Sequence, residues 1–349
     1  MIPTDSTPEV LGRARTLVAP ALRAAVERLS PELSPVAAYH FGWVDEAGRP
    51  TGADGGKGIR PALALLSAEA VGADARVGVP GGVAVELVHN FSLIHDDVID
   101  GDVERRHRPT VWALFGVGRA VIVGDALLAL AQQIVLDPAS VFAEGPVVSL
   151  ATGQRAARVV ADATAEMIAG QALDMAFESV PDVDLEGCLA MEAGKTGALL
   201  GCAAAIGAVL AGASDEVVGR LHRYGTELGL AFQAVDDLLG IWGDPATTGK
   251  STFSDLRARK KSLPVAAALS SGAPGVEELG ALLGCERLDD ADVARAAALV
   301  ESCGGRALAE EEAARRLALA LGALEGAGLE PGAHAELVEI AHFVVDRSF

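Results

Sequence analysis

Apolar residues recur every three to four positions along most of the chain, and the alternation of apolar and polar residues typical of strands is nearly absent. This pattern predicts an all-α fold. The predicted helices cover residues 8–29, 60–73, 80–100, 119–135, 150–178, 184–213, 215–242, 262–270, 289–302, 304–323 and 333–346. Loops rich in Gly, Pro or acidic residues are predicted at 45–58, 101–109, 243–249 and 270–274.

The helical pattern continues without a repeat, a low-complexity linker or a change in composition. We therefore expect one domain over residues 1–349. Half of the residues are hydrophobic, which suffices for a sizeable core, and the high Ala and Gly content favours closely packed helices. The expected architecture is a single helical bundle around a central cavity.

The chain carries a formal charge of −20 and has a pI near 4.7. This balance argues against binding to nucleic acid or to an anionic membrane surface. The longest charge-free stretch, residues 197–214, consists mainly of Ala and Gly, so we interpret it as a packed core helix and expect no integral membrane segment. No N-terminal secretory pattern is present, and the four cysteines lack metal-ligand spacing, which is typical of reduced thiols in a cytoplasmic protein.

Three aspartates, Asp96, Asp97 and Asp100, stand within five residues at the end of an apolar predicted helix. At about 100° per residue, Asp96 and Asp100 share one helix face and Asp97 flanks them. Burying such a cluster without cations is costly, and Mg²⁺ binds one or two carboxylates together with phosphate oxygens. Because Arg105 and Arg106 follow closely, the motif predicts a site for a metal-bound phosphate. A solvated acidic helix end is the alternative, but the preceding helix is too apolar to favour it.

A second acidic pair, Asp236 and Asp237, lies on another predicted helix and is followed by Asp244 and Lys250. The segments Gly170-Gln171 with Asp174, and Lys195-Thr196-Gly197, stand between the two acidic motifs. Facing helices of a bundle can bring such groups together in the core. The predicted centre holds several Mg²⁺ ions between opposed carboxylates, with a diphosphate clamped by Lys and Arg.

A possible second anion site begins in the glycine-rich stretch from Gly55 to Pro61. Lys57 and Arg60 stand there beside a predicted helix start, whose backbone amides favour anions. His89 precedes Asp96 by two helical turns and falls on the same face. A lone histidine at such a position is commonly a core residue, so its role depends on its neighbours.

Together these motifs resemble those of the trans-isoprenyl diphosphate synthases, in the polyprenyl synthetase family. The resemblance covers about residues 50–270 in the family's order: GGKxxRP, SLIHDDxxDxxxxRRxxPT, GDALL, GQxxD, KTG, FQxxDD, GK and KxxxP. It implies the all-α isoprenoid synthase fold, a homodimer, and Mg²⁺-dependent condensation of isopentenyl diphosphate with an allylic diphosphate.

The resemblance also implies a role for each matching residue. Metal binding is assigned to Asp96, Asp97, Asp100 and Asp236; the allylic diphosphate to Arg105, Lys195, Lys250 and Lys260; and isopentenyl diphosphate to Lys57, Arg60, His89 and Arg106. On physical grounds, the oxygens of Thr196 and Gln233 can offer partial negative charge to the allylic cation. The third aspartate of the second motif is replaced by Gly240, so we expect one carboxylate fewer there, and an aspartate at this position would be expected to join the metal shell. His107 replaces a glycine that is common after the arginine pair.

By the same resemblance, Phe91 and the small Ser92 at the fifth and fourth positions before Asp96 imply a twenty-carbon product, geranylgeranyl diphosphate, with fifteen carbons as the next choice. Two other functions stay open. A class I terpene cyclase shares the ionisation chemistry, but the cations assigned to isopentenyl diphosphate favour two substrates. A non-catalytic subunit that modulates another synthase is less compatible with an intact first aspartate motif.

Overall fold

The computed structural model describes residues 7–52, 58–137, 139, 148–179, 183–244, 252–285 and 287–345. These residues form α1 (Glu9–Glu27), α2 (Ser34–His40), α3 (Ile59–Glu69), α4 (Val79–Ile99), α5 (Val111–Phe115), α6 (Val117–Leu136), α7 (Leu150–Ser179), α8 (Leu185–Glu192), α9 (Ala198–Leu210), α10 (Asp215–Trp242), α11 (Ser254–Arg257), α12 (Leu263–Ser270), α13 (Val276–Leu283), α14 (Asp290–Ser302), α15 (Gly305–Leu324) and α16 (Pro331–Val345). A 3₁₀ turn at Ala75–Gly78 precedes α4, and a π turn at Ala193–Gly197 joins α8 to α9. The predicted all-α class is confirmed.

Every predicted helix is present, although the one predicted over 184–213 is divided by the π turn. The sequence pattern missed α2, α5, α11 and α13, which are eight residues long or shorter. Helices of this length contain few repeats of the apolar period. The predicted loop at 101–109 contains a two-stranded hairpin, β1 (Glu104–Arg105) and β2 (Arg108–Pro109).

Helix α10 lies at the centre of the packing. Its first half contributes Leu221 and Leu228 to the largest apolar cluster, and its second half contributes Leu238 and Ile241 to two further clusters. Ser214 caps its N-terminus by accepting a hydrogen bond from Val217 N. The helix that carries the second acidic pair is therefore held along its whole length.

The expected close packing of helices is seen between α3 and α9. A Cβ at Gly207 would fall 2.6 Å from Ser67 Oγ and 2.8 Å from Ala68 N, so only glycine allows this approach. Gly207 N in turn donates to Ser67 Oγ at 3.0 Å. Close contact of this kind lets the bundle exclude water along the backbone as well as between side chains.

Three helical stretches are long and apolar enough to cross a membrane by length and composition: Ala75–Ile99, Val117–Leu136 and Leu185–Leu210. Burial inside the protein covers 78%, 44% and 78% of their apolar windows, respectively. All of α9 is buried, as predicted for the charge-free stretch. Helix α6 differs, because it exposes apolar side chains including Val117, Val121 and Ile122.

The four cysteines are free thiols. Cys188, Cys202 and Cys303 are buried, as expected for small core residues, whereas Cys285 is exposed.

Candidate active site

Asp96 and Asp100 lie one turn apart at the C-terminal end of α4. Burial raises the pKa of Asp96 to about 6, and the nearby Lys195 ammonium partly offsets this effect. Burial raises the pKa of Asp100 as well, again opposed by Lys195. Because burial opposes ionisation of both carboxylates, a further cation that binds beside them would stabilise their charged forms.

Asp97 is placed differently from Asp96 and Asp100, in agreement with its predicted position beside the face that they share. Its side chain is only 1% exposed, and Arg105 Nε donates to its Oδ1 at 2.7 Å. The other oxygen, Oδ2, is buried without a hydrogen-bond partner. Because Asp97 lies one residue from Asp96 and is rotated by about 100° around the helix, it faces Arg105 and positions it.

The hairpin after α4 separates the two arginines that the sequence placed together. Arg105 lies on β1, while Arg106 and His107 form its turn with φ angles of 53° and 60°. Arg105 turns towards Asp97, and Arg106 lines a separate cavity. The left-handed backbone of His107 explains why glycine suits this position, since a side chain there costs on the order of 1 kcal/mol.

Lys195 lies in the π turn, a helical irregularity that is frequent at functional sites. Its Nζ contacts Asp174 Oδ2 on α7 at 2.5 Å. Gly170, one turn earlier on α7, allows this contact, because a Cβ there would fall 2.7 Å from Gly194 C and 2.9 Å from Lys195 Cα. Asp174 was not among the predicted site residues, although the GQxxD motif contains it.

Thr196 and Gln233 connect the π turn to the second acidic pair. Thr196 Oγ1 donates to Gln233 Oε1 at 2.9 Å, and Gln233 Nε2 donates to Asp237 Oδ1 at 2.7 Å. Asp237 Oδ2 accepts from Leu263 N at 2.8 Å, at the start of α12. Asp237, which is 5% exposed, therefore holds the N-terminus of a helix, and Asp236 is the half-buried member of the pair.

Lys260 interacts electrostatically with both acidic motifs. Burial lowers the pKa of its ammonium group. Four nearby carboxylates together raise this pKa by more than burial lowers it, so the net shift is upward; they belong to Asp255, Asp237, Asp174 and Asp236. The same ammonium opposes the rise in the pKa of Asp100. The first and second aspartate motifs thus share one electrostatic environment, as the sequence predicted.

A second cationic site lies beside this centre, in a cavity of about 220 Å³. Arg60, His89 and Arg106 line it, so the structure brings together three of the four residues predicted for isopentenyl diphosphate. Burial lowers the pKa of both Arg60 and His89, and Arg60 Nε has no hydrogen-bond partner. Glu86, which sequence reasoning missed, opposes the effect on Arg60 and lines the same cavity.

Two predicted phosphate ligands, Lys57 and Lys250, lie outside the described residues. Phe91 is 6% exposed and packs edge-on against His95, with ring centroids 4.9 Å apart. Ser92 Oγ donates to the carbonyl of His89 at 2.8 Å. Phe91 and His95 therefore form an aromatic pair beside the first aspartate motif, on the side away from α4's C-terminus.

The described residues contain no three His, Cys, Asp or Glu side chains that together form a ready metal site. The carboxylates are instead distributed over two motifs. The donor set nonetheless fits a hard divalent cation, because Asp97 Oδ2 has no partner and burial raises the pKa of Asp96. Both conditions are relieved by an added positive charge.

Comparisons with known proteins agree with this geometry. The family profile described as Polyprenyl synthetase matches residues 42–300. The chain is 48% identical to (2E,6E)-farnesyl diphosphate synthase of Mycobacterium tuberculosis over 348 residues, covering 99% of this chain and 94% of the relative. It is 41% identical to geranylgeranyl diphosphate synthase of the same organism over 347 residues, covering 99% and 95%.

Among solved structures, a polyprenyl synthetase from Streptomyces coelicolor A3(2) is similar with a TM-score of 0.91 and 50% identity, over 97% of this chain and all of the other. A polyprenyl synthase from Caulobacter crescentus CB15, complexed with calcium and isoprenyl diphosphate, gives 0.81 and 28% over 98% of each chain. The matched profile, the identities and the paired aspartate motifs lead to one conclusion. The chain belongs to the polyprenyl synthetase family and is a short-chain trans-prenyltransferase, an isoprenyl diphosphate synthase.

Proposed function

We propose that this enzyme condenses isopentenyl diphosphate with allylic diphosphates in a Mg²⁺-dependent reaction. The observation that carries the proposal is the presence of two separate anion sites. One lies between the two aspartate motifs around Lys260, and the other is the cavity lined by Arg60, His89 and Arg106. A terpene cyclase, which rearranges one substrate, has no need for the second site.

In the allylic site, Asp96, Asp100 and Asp236 are the proposed ligands of Mg²⁺. Lys195, Lys260, Lys250 and Arg105 bind the diphosphate, and Asp97 holds Arg105 in place and offers its remaining oxygen. When bound, Mg²⁺ neutralises charge that develops on the leaving diphosphate. The preference for magnesium rests on the all-oxygen donor set.

In the second site, Lys57, Arg60, His89 and Arg106 hold isopentenyl diphosphate with its double bond close to the allylic carbon. The allylic carbon–oxygen bond breaks, the new carbon–carbon bond forms from the isopentenyl double bond, and one proton leaves for the departed diphosphate. Thr196 Oγ1 and Gln233 Oε1, which are 2.9 Å apart, offer oxygen lone pairs near the cationic intermediate.

The proposed product is geranylgeranyl diphosphate, with the tail ending against Phe91. Phe91 and His95 form an aromatic floor there, while the small Ser92 leaves space beside it. Farnesyl diphosphate is the second candidate, because the relative named for that product is 48% identical whereas the relative named for the longer one is 41% identical.

We further propose a homodimer in which a second copy covers the apolar face of α6. Ile122, 56% exposed, lies on this face, together with Val117 and Val121. Such a cluster is unfavourable in water and typical of an interface. Sedimentation of Ile122→Glu beside the native chain tests this, and a native monomer would contradict it.

The chain is also proposed to form one domain, because α10 contributes to all three apolar clusters. A cytoplasmic location is proposed from the four free thiols and from the acidic charge.

The testing experiment supplies Mg²⁺, labelled isopentenyl diphosphate and, separately, dimethylallyl, geranyl or farnesyl diphosphate, followed by chromatography of the products. We expect incorporation of label into twenty-carbon diphosphate. Accumulation of the fifteen-carbon product would select the second candidate. Conversion of an allylic diphosphate to hydrocarbon without isopentenyl diphosphate would contradict the proposal in favour of a cyclase, and no turnover with any primer would favour a modulating subunit.

A further inference from the structure

The position left without a side chain at Gly240 is filled from another helix. A Cβ built on Gly240 would overlap the carboxylate of Asp255, with Oδ1 at 2.7 Å. Asp255 belongs to α11 and is 8% exposed. An aspartate at position 240 would therefore have to displace the Asp255 carboxylate before it could join the metal shell.

The contact between α11 and α10 is specific. Ser254 Oγ donates to the carbonyl of Gly240 at 3.2 Å and lies 3.2 Å from Asp255 Oδ1. Phe253, directly before α11, has a φ of 62°. A left-handed residue that is not glycine costs on the order of 1 kcal/mol, so the surrounding packing maintains the approach of α11 to α10.

The Asp255 carboxylate lies on the face of α10 that carries Asp236, a proposed metal ligand. Residues 236 and 240 are one turn apart, so their Cβ atoms lie about 5–6 Å from each other on one face of α10. The Asp255 oxygens occupy the Cβ position of residue 240, and they therefore lie about one turn from Asp236. Asp255 also interacts electrostatically with Lys260 and Asp237, which are both in the proposed allylic site.

We propose that Asp255 supplies from α11 the carboxylate that α10 lacks at position 240, and that it binds, together with Asp236, a divalent cation of the allylic site. This inference rests on the proposed function. Gly240 is then required by the site, because any side chain there displaces Asp255.

The test measures metal binding directly, without turnover. Mn²⁺ is titrated into the full chain in the presence of inorganic pyrophosphate, and free Mn²⁺ is followed by electron paramagnetic resonance. Asp255→Asn keeps the size of the side chain and removes its charge, and we expect the Mn²⁺ dissociation constant to rise at least fivefold. The matched control is Asp162→Asn on α7, an exposed carboxylate 3.6 Å from Arg158 Nε, which is expected to stay within twofold of the native chain. Circular dichroism checks that each variant is folded.

A swap separates metal binding from a purely structural role. Gly240→Asp alone is expected to weaken Mn²⁺ binding, because the new side chain collides with Asp255. Gly240→Asp combined with Asp255→Ala returns a single carboxylate to the same place from α10, and we expect it to recover at least half of the lost affinity. A folded Asp255→Asn chain with native Mn²⁺ affinity would overturn the inference, as would a failure of the swap to recover affinity.

Asp236→Asn distinguishes this failure from a failure of the proposed function. If Asp236→Asn weakens Mn²⁺ binding and Asp255→Asn does not, the metal site stands and only the role of Asp255 is rejected. If neither variant changes Mn²⁺ binding, the proposed allylic metal site itself is rejected.

Discussion

The two aspartate motifs reach similar chemistry by different construction. The first is local, since Asp96 and Asp97 belong to the last turn of α4 and Asp100 is its C-cap residue. The second is assembled from α10 and α11, with Asp255 filling the space above Gly240. A local motif keeps its geometry as long as one helix persists, whereas an assembled motif depends on how two helices pack.

The two motifs share a feature that the sequence pattern does not reveal, because the two aspartates of each pair have different roles. In each Asp-Asp pair the first residue is half-buried and the second is almost fully buried. Asp97 binds Arg105, and Asp237 binds Leu263 N at the start of α12. The second aspartates position other groups, and the first ones are the proposed metal ligands.

The largest effect is expected from a substitution in the local first motif. Asp96→Ala should lower turnover by at least about a hundredfold, equivalent to roughly 3 kcal/mol of transition-state stabilisation. The helical fold should persist, because the substitution leaves the backbone hydrogen bonds of α4 in place and alanine is a strong helix former. Steady-state rates and circular dichroism measure the two quantities, and a near-native rate would reject the metal centre.

The next prediction tests whether Asp236 and Asp237 have different roles in the second motif. Asp237→Ala leaves Leu263 N without its acceptor, so the free energy of unfolding should fall by about 1–3 kcal/mol. Asp236→Ala should change it by less than Asp237→Ala does, because Asp236 is half-buried whereas Asp237 is 5% exposed. Urea denaturation of both variants provides the comparison. Equal losses of stability would show that the two aspartates are not divided in this way.

A smaller effect concerns the apolar side of the first motif. Phe91→Ala should shift the products towards longer chains, because further tail units bury apolar surface at roughly 25 cal/mol per Å² once space exists. The rate of the first condensation should change little, since the reacting groups lie beyond Asp96. Chromatography of products from farnesyl diphosphate measures the shift. An unchanged distribution would remove the support for a twenty-carbon product.

The smallest effect at neutral pH lies in the cationic surroundings of the second anion site, because it develops only as the pH falls. Burial, and then the nearby Arg106, lowers the pKa of His40 to about 3, and His40 Nε2 lies 3.1 Å from Asn90 Oδ1. Between pH 6.5 and 3 the unfolded chain binds a proton that folded His40 does not, so stability is full above pH 6.5 and falls as the pH decreases. His40→Gln should reduce this slope by at most one proton, about 1.4 kcal/mol per pH unit. Urea denaturation at several pH values measures it, and an unchanged slope would mean that His40 does not titrate this way.

Several features were predictable from the sequence because they depend on local geometry. Helical periodicity located the long helices, and the spacing of Asp96 and Asp100 placed them on one face, since 3.6 residues form a turn. The motif order also led to the family, and the residues expected to bind the two diphosphates were assigned on that basis. Short helices such as α11 escaped because they contain too few apolar repeats.

The sequence by itself determined which chemical groups are available, which long helices carry them and which reaction class they serve. Only the tertiary structure decided that Asp97 and Asp237 face inward, that Lys260 interacts with both motifs, and that Asp255 occupies the space at Gly240. These outcomes depend on contacts between residues far apart in the chain. Spacing along one helix cannot specify such contacts, because they are set by how whole helices pack against each other.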